Sequence, residues 1–148
     1  MRGRTVVVTG ASTGIGRACV LALDRLGWRV FAGVRRDQDG EELRAAAGAQ
    51  LRILRLDVTS PDDIAAAATE VAAATGGALD GLVNNAGFAL SAPLEFVPLH
   101  ELRRQFEVNL VGQVGVTQAL LPMLRRSRGR IVLMSSLGGR VSQPLVGP

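Results

Sequence analysis

The chain has 148 residues, 47% of them hydrophobic and 20% charged, enough for one globular domain with a buried core and too apolar for a disordered chain. Its net charge of +4 rests on arginine alone, because it contains no lysine, and the arginines are dispersed rather than interleaved with aromatics in a basic block, so nucleic-acid binding is not expected. No apolar run is long enough for a membrane span, no secretory leader is expected ahead of the first strand, and the single cysteine, Cys19, fits a reduced cytoplasmic setting.

Thr5–Val8 reads as a strand. It runs into the turn Thr9-Gly10-Ala11-Ser12-Thr13-Gly14-Ile15-Gly16. A helical pattern follows, with Ile15, Ala18, Cys19, Ala22 and Leu26 on one face and Gly27 as its stop. Strand, glycine-rich turn and helix N-terminus together make a phosphate cradle. Glycine lets the backbone approach the anion, and the free N–H groups and positive dipole end of the helix face it. Residues 28–32 read as a second strand, 37–40 as a polar turn and 41–47 as a short helix. A third strand covers 51–56. Ser60-Pro61-Asp62-Asp63 then starts an alanine-rich helix, with Ser60 as N-cap, proline at the first position and acids in the first turn. That helix ends near Gly76-Gly77, and 79–83 form a fourth strand. A long helix is expected over 99–126, with Leu99, Leu102, Phe106, Leu110, Leu120 and Leu124 near one stripe. Pro122 is expected to kink or shorten its last turns. Residues 130–134 read as a fifth strand, and the glycine- and proline-rich tail 138–148 has no element of its own.

Five alternations of strand and helix predict an α/β fold. The expectation is a Rossmann-like, doubly wound parallel sheet, incomplete at about five strands, in one nucleotide-binding domain over 1–148. Ligands of such sheets bind beyond the carboxyl ends of the strands, where strand order reverses.

Three motifs compete for the first turn. A P-loop needs a lysine that this chain lacks. Gly10-Ala11-Ser12-Thr13-Gly14 fits the G-x-S-x-G elbow of α/β-hydrolases, with Ser12 as nucleophile. Asp57 or Asp80 would then be the acid and His100 the base. His100 opens the long helix beside Glu101, however, and reads as a surface residue. The third reading is a dinucleotide turn, spaced T-G-x-x-x-G-x-G. After the second strand stands Arg35, where an acid would bind a ribose 2′-hydroxyl and an arginine suits a 2′-phosphate. NADP(H) is therefore the preferred cofactor, with NAD(H) as the alternative.

On these residues the chain resembles the short-chain dehydrogenase/reductase family. Thr9-Gly10-x-x-x-Gly14-Ile15-Gly16 has that family's cofactor spacing, and Asn84-Asn85-Ala86-Gly87 and Asp57-Val58 match two further signatures. Asn109 and Ser136 match two more positions, and the five occur in order along the whole chain. The resemblance implies that Gly10, Ser12, Thr13, Gly14, Ile15 and Gly16 hold the cofactor together with Arg35, Asp57, Val58, Asn85, Ala86 and Gly87. It implies that Ser136, rather than its neighbour Ser135, binds the substrate oxygen. Asn109, expected on the buried side of its helix, would support a proton relay. The implied reaction interconverts a small-molecule carbonyl and a secondary alcohol by hydride transfer, and the family suggests a homo-oligomer.

The family's acid/base pair sits in a Tyr-x-x-x-Lys motif, and this chain contains neither tyrosine nor lysine. The motif would fall due just after Pro148, so the expectation is the N-terminal part of a reductase that lacks turnover by itself. A catalytically dead nucleotide-binding or interaction module is the alternative. The fifth strand is expected to be an open sheet edge.

Overall fold

The computed structural model describes residues 3–141 and 144–145. Ser142, Gln143 and 146–148, all in the glycine- and proline-rich tail, lie outside the described residues. The described residues form a five-stranded sheet in the order β3-β2-β1-β4-β5, every pair parallel. The strands are β1 (Thr5–Val8), β2 (Arg29–Val34), β3 (Arg52–Arg55), β4 (Gly81–Asn84) and β5 (Arg130–Leu133). The helices are α1 (Gly14–Arg25), α2 (Asp37–Ala46), α3 (Pro61–Thr75), α4 (Leu99–Phe106) and α5 (Gly112–Ser127). Strand order reverses between β1 and β4, which places the expected ligand crevice there.

The run Thr5-Val6-Val7-Val8 shows why the sheet is central. All four residues are buried, and successive side chains point to opposite faces. Val7 joins Phe31, Leu54 and Leu82 in a core closed by Val71 of α3 and Val116 and Leu120 of α5. Val6 and Val8 join Val30, Ala32 and Val34 in a second core, closed by Val20 of α1 and Leu43 of α2.

Several expected boundaries shift. Residues 37–40 are the first turn of α2 rather than a separate turn, since Asp37 and Asp39 suit a helix N-terminus. Arg36 holds that end, donating to Asp39 from Nε at 3.0 Å and from Nη2 at 2.7 Å. On α1 the buried residues are Gly16 and Val20, whereas Ile15 and Leu26 of the expected apolar face are 61% and 74% exposed. The α3 start is as expected: the Asp63 N–H donates to Ser60 Oγ at 3.2 Å, and Pro61 is the first helical residue.

The long helix is one rod with an interruption. A π-helical turn, Glu107–Val111, joins α4 to α5. Only the downstream half carries a buried stripe, of Val116, Leu120, Met123 and Leu124; Leu99, Phe106 and Leu110 are exposed. A π turn carries an extra residue and shifts the phase of the stripe, which an even helical period does not anticipate. Pro122 does not end the helix, which runs on to Ser127. In the tail, Leu137–Gly139 form a 3₁₀ turn where no element was expected. β5 pairs with β4 alone among the described residues, and all four of its residues are exposed. No helix among the described residues is long and apolar enough to cross a membrane.

Candidate functional site

A cleft of about 1050 Å³ opens at the carboxyl ends of β1 to β4. That is at the upper end of the volumes typical of small-ligand sites. Its floor is the β1–α1 turn, with Gly10, Ser12, Thr13, Gly14 and Ile15. Arg35 lines it from the end of β2, Asp57 and Val58 from the end of β3, and Asn85, Ala86 and Gly87 from the end of β4. The structure thus brings together all the residues expected at a cofactor except Gly16, which lies just beneath. Asn109 and Ser136 are not among the lining residues.

The turn is shaped for an anion. Gly14 has φ +55°, and a Cβ built there would meet no atom within 4 Å. Side-chain volume that another residue would fill is left as open cleft. Thr13 precedes α1 in extended conformation, but its hydroxyl accepts no N–H, and the first turn of α1 contains no acid. Ser60 on α3 shows the contrast, since it caps its helix with its own oxygen. The α1 N-terminus therefore presents its N–H groups and positive dipole end to the cleft with no side-chain cap among the described residues, an arrangement that suits an anion.

Behind the turn lies a polar lock centred on Thr9, which is fully buried. Its Oγ1 accepts the N–H groups of Asn85 and Ala86, both at 2.9 Å. It donates to Gln113 Oε1 at 3.4 Å, and Gln113 Nε2 donates to the Ala86 carbonyl. Asn85 Nδ2 donates to the carbonyls of Thr9 and Gly10, at 3.1 and 3.0 Å. The ends of β1 and β4 are thereby joined across the point where strand order reverses. Thr9 stood in the turn motif, but its hydroxyl was not recognised as the hub. Gln113 was not singled out at all; the one signal was an amide placed four residues after Asn109 on a helix face that turns buried.

Asn109 departs from expectation. It is exposed rather than buried, and its amide is spent on backbone: the Phe88 N–H donates to Oδ1 at 3.0 Å, and Nδ2 donates to the Phe88 carbonyl at 2.7 Å. Ser136 is exposed beyond β5, where its Oγ accepts the Gly138 N–H at 3.1 Å and starts the 3₁₀ turn. His100, the base that a hydrolase would require, sits at the cleft rim with Nε2 3.5 Å from Glu101. Arg103 and Arg104 line the same wall, the latter over the Phe88 ring at 5.2 Å.

Two charged groups, Arg35 and Asp57, line the cleft from the ends of β2 and β3. Arg36 is committed to Asp39, but Arg35 has no hydrogen bond or ion pair among the described residues. Burial pushes the Asp57 carboxyl up, but bonds from the Thr59 N–H at 2.9 Å and hydroxyl at 2.7 Å, with the Arg35 and Arg55 charges, outweigh it. Asp57 is held below the usual carboxylate range. A lowered folded value means that its contribution to stability is complete above about pH 4 and is lost as pH falls through the folded value. Thermal melts across about pH 5 to 2 should show a falling melting temperature for the parent chain and a shallower fall for Asp57→Asn. Equal slopes would remove Asp57 from the acid transition.

With this geometry in place, comparison with known proteins gives a consistent result. The sequence model of a family described as short chain dehydrogenase matches residues 4–148. Estradiol 17-beta-dehydrogenase 2 of Mus musculus is 43% identical over 143 residues, covering 93% of this chain and 37% of the mouse protein. The crystal structure of a short-chain dehydrogenase from Streptomyces avermitilis superposes with a TM-score of 0.89 at 37% identity, covering 98% of this chain and 53% of that one. The structure of NADPH-bound carbonyl reductase from chicken fatty liver gives a TM-score of 0.86 at 34% identity, covering 94% and 62%. The chain therefore spans between about a third and two thirds of the length of the proteins it matches.

Proposed function

This chain belongs to the short chain dehydrogenase family, and from that premise we propose that it is the NADP(H)-binding part of an oxidoreductase acting on a small-molecule carbonyl or secondary alcohol. The observation that carries the reading is that two anion-binding features line one cleft. They are the N-terminus of α1, which no side chain caps, and the guanidinium of Arg35, which has no hydrogen bond or ion pair among the described residues. A dinucleotide with a 2′-phosphate presents anionic groups to both.

In this reading the N–H groups at Ser12 to Gly16 hold the pyrophosphate and Arg35 holds the 2′-phosphate. Asp57 and Val58 flank the adenine, and Asn85 to Gly87 form the wall beside the rest of the cofactor. The bound nicotinamide supplies the hydride chemistry. Ser136 binds the substrate oxygen, and Asn109 acts through the Phe88 backbone that it grips. The proton that must accompany hydride has no donor of suitable pKa among these residues, and neither tyrosine nor lysine occurs in the 148 residues. Binding without turnover is therefore the behaviour proposed for this chain alone, which also suits a module that only holds the nucleotide.

The test is a fluorescence titration of the 148-residue chain with NADPH and with NADH. NADPH should bind tighter, and Arg35→Ala should weaken NADPH about tenfold or more while leaving NADH within about twofold. Equal or tighter binding of NADH by the parent chain would reverse the cofactor assignment. Steady NADPH oxidation with a carbonyl substrate would refute the proposed lack of turnover.

A further inference from the structure

One side of the α4–π–α5 rod carries four polar residues spaced by four: Gln105, Asn109, Gln113 and Thr117. Their partners, on the last residue of β4 and the segment that follows it, are spaced by two and run in the opposite direction: Leu90, Phe88, Ala86 and Asn84. The Leu90 N–H donates to Gln105 Oε1 at 2.7 Å. Phe88 is gripped through both its N–H and its carbonyl by Asn109. The Ala86 carbonyl accepts from Gln113 Nε2, and Asn84 Nδ2 donates to Thr117 Oγ1 at 2.8 Å.

The spacings match physically. Four residues of helix rise about 6 Å, and two residues of extended chain advance about 6.6 Å. A plain α-helix would also rotate each successive rung by about 40°, carrying the ladder off line. The π turn, Glu107–Val111, lies among these rungs. With i→i+5 bonds it rotates less per residue and takes back part of that drift. The interruption that upset the apolar stripe is what keeps the amides in register.

From this ladder we infer that Gln113 and Gln105 are positioning residues for the nucleotide cleft, an inference that rests on the dinucleotide reading above. Neither lines the cleft. Gln113, only 6% exposed, sets the Ala86 carbonyl and the Thr9 hydroxyl, and through Thr9 the backbone of Asn85. Gln105 fixes the same segment through Leu90, two residues beyond the cleft-lining Phe88. The segment that carries the wall is held by the helix before any ligand arrives, so less ordering remains for binding to supply.

The experiment uses the whole chain with Gln113→Met and Gln105→Met, which keep side-chain length but remove the amide. NADPH affinity is read by fluorescence and the exchange of single backbone amides by NMR. Gln113→Met should weaken NADPH about tenfold and speed exchange at Asn85 and Ala86 by a similar factor. Gln105→Met should speed exchange at Leu90 while leaving Asn85 and Ala86 near the parent rate, and should weaken NADPH about two- to threefold. A space-filling role would move neither readout. Parent chain that binds NADPH, with Gln113→Met binding equally well, overturns the inference and leaves the dinucleotide reading intact. Parent chain that binds neither NADPH nor NADH overturns the dinucleotide reading and, with it, a positioning role toward that ligand. If Gln113→Met does not fold, Gln105→Met decides: parent-like exchange at Leu90 and parent-like affinity overturn the inference.

Discussion

Replacing Gly16 with alanine should destabilise the chain by about 3 kcal/mol or more and abolish nucleotide binding. A Cβ at that position would lie 2.2 Å from the Gly10 carbonyl oxygen and 2.4 Å from Asn85 Nδ2. Neither neighbour can give way cheaply. The Gly10 carbonyl belongs to the turn itself, and Asn85 Nδ2 donates to that same carbonyl and to Thr9. Relieving the clash must lift α1 off the sheet or break the clamp between β1 and β4. Gly14 two residues earlier is the control. Its Cβ would meet open space, so Gly14→Ala carries only the backbone cost of φ +55°, about 1–2 kcal/mol. Urea denaturation with a parallel NADPH titration separates the two, and equal stability losses would show that packing under Gly16 is not the limiting contact.

Thr9→Val should cost about 3 kcal/mol, the next largest effect. Valine matches threonine in shape but offers no oxygen. The part-buried N–H groups of Asn85 and Ala86 lose their acceptor, and Gln113 Oε1 loses its donor. Thr9 is fully buried, so water does not readily replace the hydroxyl. Thr9→Ser keeps the oxygen and should recover most of the stability. Chemical denaturation of the pair measures the hydroxyl apart from the methyl group. Valine as stable as threonine would mean that the lock is not holding the strands together.

Much of the cleft was legible because its signals are local. Thr5–Val8, the glycines of the turn and Asn84-Asn85-Ala86-Gly87 are contiguous, and each declares a strand end followed by a constrained turn. Ser60, Pro61 and Asp63 declared their helix start in the same way. What failed was anything that depended on how far a helix turns. Phe106 and Leu110 read as core and are exposed, and Asn109 read as buried and is not, because a π turn intervenes. Gln113 stayed hidden because its two partners, Thr9 and Ala86, are 104 and 27 residues away.

By itself, then, the sequence determined the α/β class, the alternation of elements and the residue types gathered at the strand ends. Those follow from short-range rules: the two-residue period of a strand, the freedom of glycine, the capping chemistry of a helix. Only the tertiary structure decided that, among the described residues, no side chain caps the α1 N-terminus, that Arg36 pairs with Asp39 while Arg35 has no hydrogen bond or ion pair, and that one helix grips the wall of the cleft rung by rung. Each of these depends on which groups remain without a partner after the chain has packed, and pairing across long sequence separations is settled by the whole fold.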